Sequence, residues 1–170
     1  MLFLITAALA GDNDFVASDY SSSEQQVDYE GHIDAPPELV WAALSDHNGM
    51  TAWMPKLSHV TVDNSNATTE NGVGCERECT FNGSDLTERI VWWEEGVGYG
   101  YSVLDGPVSD HVGIVTLEDD GNGGTNIYWD QYFEAKGLKP KMMRKMMPKL
   151  LDEAVQNLEL QLQSESTTNS

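Results

Sequence analysis

Apolar and polar positions alternate through most of the chain, and the pattern switches to a helical repeat near its end. Val27, Tyr29, Gly31 and Ile33 alternate with Asp28, Glu30 and His32, the period-two signature of a half-buried strand. Ala35-Pro36-Pro37 stops that strand, and Pro37 suits the first turn of a helix over Glu38 to Leu44. Asp34 occupies the expected N-cap position, with Glu38 in the first turn where negative charge is favourable. A second short helix is expected over Gly49 to Met54, ending before Pro55 because the residue ahead of a proline avoids the helical region. Strand-like segments follow over 60–63, 74–81, 86–94, 98–104, 111–118 and 125–134. Turn signals at Asn82-Gly83, Glu95-Gly96, Asp105-Gly106-Pro107 and Asp120 to Gly124 separate the last five of these. Such tight connections imply antiparallel neighbours, since parallel strands need long crossovers.

The last element spans Lys139 to Gln163, where Met142, Met143, Met146, Met147, Leu150, Leu151, Ala154, Val155, Leu158 and Leu162 form one stripe at helical spacing. Lys141, Lys145 and Lys149 share the opposite side, and Pro148 should kink or restart the helix. One apolar helical stripe facing one apolar sheet face makes a two-layer α+β domain. The expected architecture is a seven-stranded curved antiparallel sheet wrapped around a long C-terminal helix, with two short helices after the first strand. A hollow between the layers is its natural binding place.

The ends read differently. Leu2 to Ala10 is a short apolar run followed by Gly11-Asp12-Asn13-Asp14, with no Lys or Arg before it. It fits either a secretory signal clipped at its start or a stray apolar tail, with export (periplasmic or secreted) preferred to a cytoplasmic location. Residues 18–26 read as a polar linker, so that 1–26 stand outside a domain over 27–163, and 164–170 read as a frayed tail.

Charge narrows the partners. With 28 acidic and 9 basic residues the net charge is −19, which would repel a nucleic acid at long range. Cys75 and Cys79 lie four strand residues apart, ~13 Å, beyond the ~7 Å α-carbon limit of a disulfide, and are expected to be unbridged thiols. Their spacing fits no zinc pattern, and neither metal nor cofactor is expected.

Candidate chemistry comes from the inward strand faces. The more apolar sets are Cys75, Arg77, Cys79 and Phe81; Leu86, Glu88, Ile90 and Trp92; Tyr99, Tyr101 and Val103; His111, Gly113, Val115 and Leu117; and Ile127, Trp129, Gln131 and Phe133. Arg77, Glu88 and His111 are polar intruders among them. Arg77 and Glu88 mirror each other about Asn82-Gly83, as a structural ion pair or as an anchor for a ligand carboxylate or enolate. His111 is a candidate general acid or base by residue type, and Glu88 is the other catalytic candidate. Expected ligand-binding residues are Arg77, Glu88, Trp92, Tyr99, Tyr101, His111, Trp129, Gln131, Phe133, Met143 and Met147. The Met-rich, basic stretch at the start of the last helix suits an adaptable lid at the cavity mouth, open to transient contact with a membrane surface.

The order and spacing of several segments resemble a known family. Ile33-Asp34-Ala35-Pro36-Pro37-Glu38-Leu39-Val40-Trp41, Asp46 and Trp53-Met54-Pro55 come first; Leu86-Thr87-Glu88-Arg89-Ile90, Gly106-Pro107, Gly123-Gly124-Thr125 and Trp129 follow. Together they resemble the polyketide cyclase/dehydratase-type branch of the START-like (SRPBCC, helix-grip) superfamily. The resemblance implies a ligand cavity between sheet and C-terminal helix. It carries over no catalytic motif, because the superfamily includes lipid carriers, hormone receptors, cyclases and coenzyme Q-binding proteins. The expected function is therefore binding or carriage of a small hydrophobic molecule (lipid, quinone, polyketide or aromatic compound) by a monomer. The rivals are a cyclase- or dehydratase-like enzyme, and a module that docks on a protein or membrane through the basic, Met-rich helix.

Overall fold

The computed structural model describes residues 15–168. The apolar run at Leu2 to Ala10, and with it the expected export signal, lies outside the described residues. Among the described residues one sheet holds seven strands: β1 (Gln25–Ile33), β2 (Leu57–Asp63), β3 (Glu76–Phe81), β4 (Ser84–Glu94), β5 (Gly98–Asp105), β6 (Val112–Asp119) and β7 (Thr125–Tyr132). Spatial order is β1-β7-β6-β5-β4-β3-β2, antiparallel at every step. Strands β2 to β7 thus form a meander, and β1 returns to pair with β7.

Helix α1 (Pro37–Ser45) and a 3-10 turn (His47–Ala52) lie between β1 and β2. Pro36, not Asp34, takes the N-cap position of α1, with Pro37 just inside the helix. Two consecutive prolines fix their own backbone there, and no side-chain cap is made. The Asp34 N–H instead donates to the Glu159 carboxylate at 2.7 Å, tying β1 to the last helix.

That helix, α2, runs unbroken from Leu138 to Thr168 and carries Pro148 inside it. The expected restart at Pro148 does not occur. Pro148 and Arg144, whose carbonyl loses its donor, are both exposed, so water can satisfy the orphaned oxygen. Nor do residues 164–168 form the expected frayed tail. Ser164 Oγ and Ser166 Oγ donate to the carbonyls of Gln161 and Leu162, at 2.7 and 2.9 Å, along the last turns of the helix. Its second half buries Leu151, Ala154, Val155, Leu158 and Leu162 against the sheet and α1. A buried aliphatic side chain of this size contributes ~1.5–3 kcal/mol, which makes this stripe the main bond between the layers.

Residues 15–24 are not a free linker. Phe15 stacks on Tyr20 (5.5 Å between ring centroids) and meets Trp92 at 5.9 Å. Only the absence of a side chain at Gly100 lets Phe15 lie so close: a Cβ there would stand 2.7 Å from its ring. Next to it, Ser22 N–H, Ser22 Oγ and Ser23 Oγ all donate to the Asp110 carboxylate at 2.7–3.0 Å. The polar composition that suggested a linker serves as a hydrogen-bonded clasp onto the β5–β6 loop.

Candidate functional site

The register of β3 and β4 places Arg77 directly opposite Glu88. Arg77 Nη2 meets the Glu88 carboxylate at 2.7 Å, with the two side chains 2% and 12% exposed. The rest of the guanidinium is also enclosed. Nη1 donates to His47 Nδ1 at 3.1 Å and approaches the Met50 sulfur at 3.4 Å. The guanidinium carbon lies 5.1 Å from the Tyr101 ring centroid and 5.4 Å from that of Tyr99. Burial alone would lower the Arg77 pKa, but the Glu88 carboxylate and, behind it, Tyr99 and Cys79 together outweigh burial and the value is raised. Arg77 is thus a permanent cation whose charge is answered inside the protein.

A second polar chain crosses β5, β6 and β7. Trp129 Nε1–H and Gln131 Nε2–H both donate to the Tyr101 hydroxyl, at 3.1 and 2.8 Å. With the Gln131 amide so oriented, its Oε1 accepts from His111 Nε2–H at 2.6 Å. The other ring nitrogen of His111 is buried and has no hydrogen-bond partner among the described residues. The Phe133 ring stands edge-on to the imidazole at 5.5 Å. Tyr101 crosses the backbone of its partner Gly113, where a Cβ would overlap the phenol ring.

These groups form one wall of a cavity of about 260 Å³ between the sheet and the first half of α2. Leu57, Cys79, Phe81, Leu86, Val103, Val108, Leu150 and Leu151 supply most of the apolar lining, and Met143, Met146 and Met147 face it from the helix. Of the residues expected from sequence, Arg77, Glu88, Tyr101, His111, Trp129, Gln131, Met143 and Met147 are brought together around this space. Three are not. Tyr99 is fully buried between His47, Trp93 and Arg77, behind the wall. Phe133 supports His111 from the side without lining the cavity. Trp92 lies on the opposite face of the sheet, against Phe15. The cause is a bulge in β4: the pairing shifts between Ile90 and Trp92, so an extra residue turns Trp92 outward and Trp93 inward. Strict alternation assigns the wrong tryptophan at such a point.

Sequence reasoning missed His47. No spacing rule singles it out, yet it is wholly buried and bridges Arg77 to the Asn71 carbonyl, to which its Nε2–H donates at 3.1 Å. Burial, reinforced by Arg77, lowers its pKa from 6.5 to about 2. Burial likewise lowers that of His111, partly opposed by the Gln131 hydrogen bond. Both thiols are free, as their spacing requires. Burial pushes the Cys79 thiol up to about 12, so it is no nucleophile near neutrality.

The buried histidines give the fold a pH dependence with a definite sign. Once unfolded, each takes up a proton below its ordinary value of 6.5, whereas folded His47 stays neutral there and folded His111 takes up its proton only at lower pH than when unfolded. The unfolded state therefore binds more protons in this range, and stability is full above pH 6.5 and falls as pH drops below it. Each histidine adds a slope of up to ~1.4 kcal/mol per pH unit. Urea unfolding from neutrality down to about pH 5 should show this loss. His47→Gln should flatten the slope whatever it does to stability at neutral pH. An unchanged slope would assign the acid sensitivity to other groups.

Comparison with known proteins places this arrangement. Residues 24–163 match the family described as polyketide cyclase / dehydrase and lipid transport. No curated protein matches the chain. Among solved structures, the protein XoxI from Bacillus cereus is similar, with a TM-score of 0.67 at 16% identity over 82% of this chain and 96% of its own. A protein from Nitrosospira multiformis also gives a TM-score of 0.67, at 19% identity over 83% and 98% of the two chains. Ara h 8.0201 gives 0.63 at 17% identity, over 81% and 97%. At such identities these structures speak for the helix-grip fold alone; the sequence match speaks for descent. The chain belongs to the polyketide cyclase/dehydrase and lipid transport family.

Proposed function

We propose that the protein binds and carries one small hydrophobic molecule, held between the sheet and α2. The observation that supports this most is the cavity: apolar over most of its surface, with a polar wall whose charges already cancel. Its volume of about 260 Å³ lies just below the ~300–1,000 Å³ of drug-sized ligand pockets, which points to a small guest. The family description names polyketides and lipids, both hydrophobic classes, which agrees with the general reading. The pairing of Arg77 with Glu88 favours a ligand without a charge at its inner end. Such a molecule would meet a Tyr101 hydroxyl that accepts two hydrogen bonds and keeps its own proton to donate, as a carbonyl or hydroxyl acceptor would require.

Binding is favoured over acid–base catalysis by the titration of the lining groups. An efficient general acid or base titrates near the working pH. His111 is instead lowered by burial, and Cys79 and Tyr101 are raised by it. Native mass spectrometry of protein from its own host should find a co-purified hydrophobic molecule. Leu150→Trp, which fills the cavity from α2, should weaken uptake of an environment-sensitive hydrophobic dye at least tenfold while leaving the circular dichroism spectrum intact. A wild-type protein that takes up neither would refute the reading. Turnover of the bound molecule, abolished by His111→Ala or Glu88→Gln, would move the assignment to an enzyme.

A further inference from the structure

Positive charge in this chain is gathered in one place. Lys136, Lys139, Lys141, Arg144, Lys145 and Lys149 are six of its nine basic residues, and no Asp or Glu stands between Glu134 and Asp152. All six are exposed. Of the other three, Arg77 and Arg89 are taken by Glu88 and Glu76, and Lys56 lines the cavity from the turn just before β2. Among the described residues no carboxylate reaches ion-pair distance of any of these lysines or of Arg144. The uncommitted cations of a chain with 28 acidic residues therefore lie at or beside the mouth of its cavity.

Two further features set this stretch apart from an ordinary solvated face. The charges fall at the start of α2, which has no acidic residue in its first turn, and basic charge there opposes the helix dipole. They sit where they cost the helix stability. Leu138, Met142 and Met146 are 72%, 52% and 44% exposed. Spaced four apart, they form a single apolar stripe along the cavity's edge, where half-exposed Met146 also lines the cavity with Lys139, Met143 and Met147. An exposed apolar stripe bordered by lysines is the pattern of a helix that lies in the interface of an anionic bilayer.

We infer that the first half of α2 is a docking surface for an anionic lipid bilayer. Leu138, Met142 and Met146 enter the headgroup boundary, the basic residues meet the lipid phosphates, and the cavity mouth is held against the membrane. The acidic body does not prevent this, because its field is screened beyond ~8 Å at physiological ionic strength while the lysines act at contact. Docking at the mouth lets cargo pass between bilayer and cavity without crossing water; that consequence, unlike the docking itself, rests on the ligand-binding reading above.

The test uses the full chain with vesicles of phosphatidylcholine alone, or of phosphatidylcholine and phosphatidylglycerol in equal parts. Sedimentation should show binding to the anionic vesicles, at least tenfold weaker binding to the neutral ones, and release by high salt. One basic residue near such a surface is worth about fivefold in affinity, so K141E/K145E should lose tenfold or more. L138S/M142S should also weaken binding, while keeping its salt dependence. No binding to either vesicle, equal binding to both, or full binding by K141E/K145E would overturn the inference. So would full binding by L138S/M142S together with equal affinity for heparin, which would mark a patch for soluble polyanions. Dye uptake in vesicle-free solution is measured on the same proteins, and K141E/K145E should retain it because neither lysine lines the cavity. A wild type that docks without taking up dye would refute the ligand reading alone.

Discussion

Glu88→Ala should cost the fold about 3–5 kcal/mol, because it strands the buried Arg77 cation without its counter-charge. The other contacts of Arg77 cannot replace the carboxylate. His47 offers one neutral lone pair, and Tyr99 and Tyr101 likewise offer only neutral groups. Glu88→Gln keeps an acceptor but not the charge, and should cost less, about 1.5–3 kcal/mol. Replacing both partners by apolar residues of similar volume, as in R77M/E88L, should recover most of the loss, since a buried pair gives up in desolvation much of what it gains in attraction. Urea unfolding of the two single variants and the double variant, read as a thermodynamic cycle, isolates the coupling. A loss below ~1 kcal/mol for Glu88→Ala would mean that water in the cavity already solvates the guanidinium.

Gly113→Ala should act on the second polar chain. The added methyl overlaps the Tyr101 ring, and overpacking of this kind typically costs ~1–3 kcal/mol. The larger effect falls on the network, because the ring cannot move without pulling its hydroxyl from Trp129 and Gln131. Released Gln131 no longer fixes His111, and the wall of the cavity loses its order. Dye affinity should fall at least tenfold, ~1.4 kcal/mol, in protein that remains folded. Unchanged affinity in a folded Gly113→Ala protein would separate the Tyr101 network from ligand binding.

Much of this architecture was legible because the two hydrophobic periods are clean. The alternation in 98–104 and 125–133 assigns Tyr101, Trp129 and Gln131 to the inner face, and counting outward from Asn82-Gly83 pairs Arg77 with Glu88. What failed did so for reasons that a period cannot carry. The β4 bulge adds one residue without any glycine or proline to mark it, and so exchanges Trp92 for Trp93. His47 matters through Arg77 and Asn71, thirty and twenty-four residues away, and such contacts exist only once the chain is folded. The serines at 21–23 look like linker residues until Asp110 gives their hydroxyls something to bind. Local pattern specifies elements and faces; it is silent on which distant partner a polar side chain will find.

The inward cancellation of Arg77 by Glu88 also bears on what happens when the cavity is vacant. A site that waited for its guest to neutralise it would be strained when unoccupied, and would tend to trap ions, close up or hold its guest indefinitely. Departure of a neutral guest would leave no bare charge at its inner end, since Arg77 and Glu88 already face one another. Loaded and unloaded forms can then be close in internal strain. On the proposed carrier reading, such a site suits repeated round trips, where release matters as much as capture, rather than one-way storage.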